Sequence, residues 1–247
     1  MRVYTNGCSH TQGTKDAFED DYTTTWPNRL AAHYQASLVN QSKRGCSNDR
    51  IFRKTLEYIT SCEQIPDLIA IQWTHPERIE LNVGDSIVRN HVCLNPSSFV
   101  SKHKDKSFQL KDFVAGLSDR LDDSWKKISS EQIVHSSTSI THKLLNYMHV
   151  LEVMFNHYRV PRYKFIVWTG VDTTYKTYDA IDKTKIIFNA HYLLTEKGYE
   201  RNPIDNHYGP DAHNEIFRWV VDEKFYHTNL PAPDDPEIYD YTNDITL

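Results

Sequence analysis

The chain has 247 residues, 39% apolar and 25% charged, which fits one large globular domain or two small ones rather than a disordered or membrane polypeptide. A net charge of -5 with no Lys/Arg-rich stripe argues against binding a nucleic-acid backbone. No apolar run approaches the roughly 20 residues that cross a bilayer, and polar Thr5, Asn6 and Ser9 fall where a signal peptide would be apolar; the expected location is cytoplasmic or virion-associated. Cys8, Cys46, Cys62 and Cys93 have no paired spacing and read as free thiols. Thirteen histidines invite a metal, yet no H-E-x-x-H or Cys/His pair occurs, so neither metal nor cofactor is expected.

The first strand spans Arg2–Asn6 and runs into Gly7-Cys8-Ser9-His10-Thr11, where Gly7 marks a sharp turn. A second strand, Ser37–Asn40, leads to a loop holding Gly45, and Ser47, Asn48 or Asp49 can cap the helix that follows. That helix starts at about Asp49 and puts Ile51, Thr55, Leu56 and Ile59 on one face. The third strand, Leu68–Trp73, ends in Thr74 and His75. Residues 82 to about 142 are polar and weakly periodic, with one helix around Leu110–Lys127; they read as an insertion over the strand ends. A helix with Leu144, Met148, Leu151, Phe155 and Tyr158 on one face then precedes the fourth strand, Lys164–Thr169. The last helix opens near Pro210, with Ile216, Phe217, Val220 and Val221 facing inward. Residues 1–230 are expected to form a single domain, and 231–247 an acidic, proline-punctuated tail.

Strands alternating with helices imply an α/β fold with a doubly wound parallel sheet, and the near-continuous apolar third and fourth strands suit burial on both faces. Ser9, Gly45, Thr74 and the loop carrying Asp205 and His207 then lie after strands or just before the final helix. Such positions converge at one rim of the sheet, where open α/β folds form their sites. The chemistry that uses this set is acyl transfer. A serine hydroxyl needs a histidine to take its proton, a carboxylate to orient that imidazole, and N–H donors for the developing oxyanion. Ser9, His207 and Asp205 suit the first three roles; the amides of Ser9 and Gly45 suit the fourth.

Gly7-Cys8-Ser9-His10-Thr11, Gly45 after the second strand and Asp205-Asn206-His207 before the last helix resemble the dispersed blocks of the SGNH/GDSL hydrolase superfamily. The resemblance covers residues of about 1–75 and 160–225. It implies a flavodoxin-like three-layer α/β/α fold and an esterase acting on a small or carbohydrate-borne ester. Ser9 is then the nucleophile, Gly45 an oxyanion donor, and His207 with Asp205 the base and its partner. Three departures stand out. Cys8 replaces the usual acidic residue, Thr74 stands in for the absent third-block asparagine, and a single residue separates Asp205 from His207, with Tyr208 following. The Trp-Thr and Pro-x-Arg sequence around Thr74 is similar to that of bacteriophage proteins. An O-acyltransferase, or a non-catalytic structural or binding protein on the same scaffold, is the alternative.

The remaining candidates have plainer readings. His75 reads as a surface residue and His213 as a packing residue at the start of the last helix. Cys8 as a thiol nucleophile is the minor alternative to Ser9, since nothing nearby suggests an activated thiolate.

Overall fold

The computed structural model describes residues 1–19, 21–75, 78–82, 91–94, 137–169, 176–204 and 206–224. Its centre is a five-stranded sheet of β1 (Arg2–Asn6), β2 (Ser37–Asn40), β3 (Leu68–Trp73), β6 (Tyr163–Val167) and β7 (Ile186–Ile187). The strand order is β2-β1-β3-β6-β7 and every pairing is parallel. The order reverses beside β1, so the crevice between the ends of β1 and β3 is the switch point at which open α/β sheets take ligands.

The alternation of side chains along each strand sorts two cores. Tyr4, Ile69, Ile71, Trp73, Phe165 and Val167 face α4 (Asn48–Ser61) and α5 (Ser137–His157), which contribute Ile51, Ile59, Leu144, Leu145, Met148, Leu151 and Phe155. Val3, Leu68, Ala70, Ile166 and Ile187 face the other way. They meet α3 (Trp26–His33), α7 (Ala190–Glu196) and α8 (Pro210–Val221) through Trp26, Leu30, Leu194, Ile216, Trp219 and Val220. The result is a three-layer α/β/α fold. Three short helices complete the described set: α1 (Ser9–Gln12), α2 (Lys15–Phe18) and α6 (Lys176–Asp179).

The first three strands fall where the sequence places them; the fourth begins at Tyr163 and ends at Val167 rather than spanning 164–169. No sequence pattern announced β7, because two residues are too short for any periodicity to register. An antiparallel pair, β4 (Ile79–Asn82) and β5 (His91–Leu94), opens the stretch read as a polar insertion, and α5 begins at Ser137, inside its expected limits. The helix expected around Leu110–Lys127 and the acidic tail lie outside the described residues. Phe217 and Val221 are only partly buried; the inward face of α8 instead carries His213, Glu215 and Trp219. Among the described residues no helix is long and apolar enough to cross a membrane.

Candidate active site

The turn after β1 is built around Gly7. A Cβ there would lie 2.0 Å from Thr11 Oγ1 and 3.0 Å from the Gln72 carbonyl oxygen, so no other residue lets the chain fold back this closely on β3. Asn6 fastens the turn on both sides. Its Oδ1 accepts from Gly7 N at 2.9 Å, and its Nδ2 donates to the Ile51 carbonyl and Thr55 Oγ1 of α4, both at 3.0 Å. Thr11 Oγ1 donates to Gln72 Oε1 at 2.6 Å, tying α1 to β3. Ser9 is therefore held on a single helical turn with little freedom of its own, and it is almost wholly buried.

His207 reaches it from 198 residues away. Its Nε2 lies 2.7 Å from Ser9 Oγ, within the range over which a base takes a hydroxyl proton. The loop before it is closed by Asn202 N donating to the His207 carbonyl at 2.8 Å and by Asn206 N donating to the Asn202 carbonyl at 2.8 Å. Asn206 takes a left-handed φ of 60° to make the bend. The next residue, Tyr208, is buried, and its hydroxyl lies 2.8 Å from His191 Nδ1 and 3.1 Å from Thr195 Oγ1. Both sides of His207 are thus anchored. Asp205, read as its partner, lies outside the described residues.

Two residues read as oxyanion donors sit on loops bound to the same elements. The Gly45 loop lies along the Ser9 turn: Lys43 N donates to the Gly7 carbonyl at 3.0 Å, and Arg44 N to Gln12 Oε1 at 3.0 Å. Gly45 has φ +69° and a Cβ there would meet nothing within 4 Å, so glycine is favoured by backbone conformation and not by crowding. Thr74 is fully buried, and its backbone is gripped by Asn48, whose Oδ1 accepts from Thr74 N at 2.9 Å and whose Nδ2 donates to the Thr74 carbonyl at 3.1 Å. The Thr74 hydroxyl itself has no partner among the described residues. Asn48 is the positioning residue that sequence reasoning missed. Ser47 turns out to cap α4, accepting from Arg50 N at 3.3 Å, which left a polar neighbour with no structural duty as the only signal.

Three further histidines, His10, His75 and His213, are held toward their neutral forms by burial. His10 stacks on Trp168 with ring centres 4.0 Å apart and stands 4.6 Å from the His207 ring. Burial, and then the cationic forms of its neighbours, hold its pKa well below the usual imidazole range. His213 is buried in α8, where Nδ1 accepts from the Trp26 backbone N–H at 3.2 Å; burial pushes its pKa down to about 3. A ring used as an acceptor and resistant to protonation is no general base, which agrees with its reading as a packing residue. His75 corrects its reading as a surface residue. It is only partly exposed, and burial followed by Arg78 depresses its pKa to about 3. The strand register explains this: His75 follows the fully buried Trp73 and Thr74 before the chain has left the sheet. Cys8 is packed in the core below Ser9. Among the described residues no group of three His, Cys, Asp or Glu side chains could hold a metal ion.

Residues 8–187 match the model of a family of unknown function, DUF6071. The chain belongs to that family. The DUF6071 match spans Ser9, Gly45, Asn48 and Thr74 and ends before the loop of His207. No curated protein sequence matches the chain. Among solved structures it is similar to a lipolytic protein of the G-D-S-L family from Veillonella parvula, at 10% identity and a TM-score of 0.44, over 88% of this chain and 94% of that one. It is also similar to the acetyl xylan esterase Est2A of Butyrivibrio proteoclasticus, at 11% identity and a TM-score of 0.43, over 90% of this chain and 62% of that one. A third is the esterase EstA of Pseudoalteromonas sp., at 9% identity and a TM-score of 0.42, over 88% and 93%.

Proposed function

We propose that this DUF6071 protein is a serine esterase of SGNH type. The observation that carries the reading is the 2.7 Å approach of His207 Nε2 to Ser9 Oγ at the switch point of the sheet. Ser9 Oγ attacks the ester carbonyl while His207 Nε2 takes its proton; Asp205 is assigned to orient the imidazole and stabilise its charged form. The tetrahedral oxyanion is met by the amides of Ser9 and Gly45 and by the Thr74 hydroxyl, which Asn48 holds in place through the Thr74 backbone. On collapse His207 returns the proton to the leaving alcohol, leaving an acyl group on Ser9. Water then attacks the acyl-enzyme, gives its proton to His207, and releases the acid as Ser9 is reprotonated. The substrate is a small ester such as an acetylated carbohydrate, the class that the sequence resemblance implies.

Reaction with a fluorophosphonate, followed by peptide mapping, tests the nucleophile. The expected result is one adduct on Ser9, lost in Ser9→Ala and greatly slowed in His207→Ala, together with turnover of p-nitrophenyl acetate. An adduct on another residue, or none on folded protein, removes the assignment.

A further inference from the structure

Four residues past Thr74 the rim of the sheet carries a cation that the esterase chemistry leaves unused. Arg78 N donates to the His75 carbonyl at 3.3 Å, closing the turn that follows β3. Its guanidinium is folded inward: Nε and Nη1 are shut off from solvent and donate to nothing among the described residues. Taking a guanidinium out of water without acceptors is costly, so an unpaired buried one is uncommon in a native fold and calls for a partner such as a bound anion. The surroundings have the same sign. Arg78 bears on His10, the residue after Ser9, and on His75; the other charged groups that bear on His75 are His191 and Arg201, with no carboxylate among the described residues. Arg201 is exposed and pairs through its backbone with Tyr208, the residue after His207. Neutral His10 and His75, the unpaired Thr74 hydroxyl and the unpaired Arg78 nitrogens thus gather at the end of the sheet that carries Ser9.

We infer that Arg78 is the anion-recognition residue of this site, and that the ester presented to Ser9 carries a carboxylate or phosphate group that pairs with its guanidinium. A planar guanidinium suits both anions, since it can offer two parallel N–H groups to two oxygens, which a lysine cannot. Arg201, being exposed, adds a weaker attraction that solvent screens. The inference rests on the esterase reading for the word ester, but not for the word anion.

The test compares matched charged and neutral esters. On the alcohol side these are para-acetoxybenzoate and para-acetoxyphenyl phosphate against para-acetoxybenzamide; on the acyl side, mono-p-nitrophenyl adipate against p-nitrophenyl hexanoate. The expected result is a wild-type preference for one charged ester of about tenfold to a hundredfold in kcat/KM, the range for a hydrogen bond to a charged group. Which ester is preferred tells carboxylate from phosphate and alcohol side from acyl side. In Arg78→Met that ratio should collapse toward one, mainly through KM, and Arg78→Lys should keep part of it. An unchanged ratio, with charged and neutral esters slowed alike, gives Arg78 a purely structural role and overturns the inference. If Arg78→Met does not fold, the ratio in Arg78→Lys decides by the same criterion. If no ester is turned over at all, the esterase reading fails separately, and thermal shifts with benzoate and inorganic phosphate decide the rest. A rise in melting temperature that Arg78→Met or Arg78→Lys abolishes keeps the anion site; no rise in the wild type removes it.

Discussion

At the edge of the central sheet where β6 begins, a buried polar cluster is closed on itself. The Glu152 carboxylate accepts from the Tyr163 hydroxyl at 2.6 Å and from the Asp182 amide at 3.0 Å, and burial together with that carboxylate keeps the Tyr163 hydroxyl protonated. At the opposite edge, where β1, β3 and β6 end, Thr74 Oγ1, Gln72 Nε2, His10 Nδ1, Thr169 Oγ1 and two nitrogens of Arg78 are equally shut off from solvent and have no partner among the described residues. Each unsatisfied buried polar group costs about 1–3 kcal/mol. The closed cluster repays its burial by joining α5, β6 and the segment before β7. The open one is the edge where Ser9 and His207 meet. A buried polar residue therefore says little about function until its partners are counted.

The largest test of this contrast is chemical. Ser9→Ala and His207→Ala should each lower ester turnover by about a million-fold, the order recorded for a triad nucleophile or base in subtilisin. Melting temperatures should stay at the wild-type value. Wild-type rates in either variant would empty the open edge of its meaning.

Thr74→Val comes next. Removing one oxyanion donor costs about 100- to 1000-fold in kcat. A loss below about threefold would show that the unpaired hydroxyl faces no reacting oxygen. Asn48→Ala, which frees the Thr74 backbone, should lower the rate in the same direction.

At the closed edge the prediction is reversed. Glu152→Ala leaves the Tyr163 hydroxyl and the Asp182 amide unsatisfied, so urea unfolding should report a loss of about 2–5 kcal/mol. Ester turnover by the protein that remains folded should be unchanged. A turnover defect without a stability defect would erase the distinction between the two edges.

Acid should act through the buried imidazoles. His75 and His213 have folded-state pKa values of about 3, below the ordinary 6.5, so the folded protein favours their neutral forms. The unfolded chain takes up these protons first as pH falls, and stability present above about pH 6.5 is lost progressively toward pH 3. The slope is at most about 1.4 kcal/mol per pH unit for each ring. His213→Gln keeps an acceptor for the Trp26 amide and should flatten the stability profile by about one proton. An identical slope would mean that His213 does not titrate differently on unfolding. Smallest of all, Gly45→Ala should cost about 1 kcal/mol through its left-handed φ, with no clash to add to it. A much larger loss would mean that the loop is tighter than its open surroundings suggest.

The sequence by itself determined the local features. A near-continuous apolar run set the strand at 68–73, because a strand covered on both faces leaves little room for polar residues, and short runs rich in β-branched or aromatic residues marked those at 2–6 and 37–40. Pro210 marked the start of the last helix, because its fixed φ suits a first helical turn and its missing N–H costs nothing there. The same logic left His213 inside the helix and His207 in the loop ahead of it. Only the tertiary structure decided which residues meet across distance. The 2.7 Å contact of His207 with Ser9, the grip of Asn48 on Thr74 and the stacking of His10 on Trp168 join residues far apart in the chain. So does the burial of His75 and of the Arg78 guanidinium, which depends on how the end of β3 packs and not on its hydropathy. Periodicity reports which face of an element is apolar; it carries no record of which polar atoms, once buried, will find a partner.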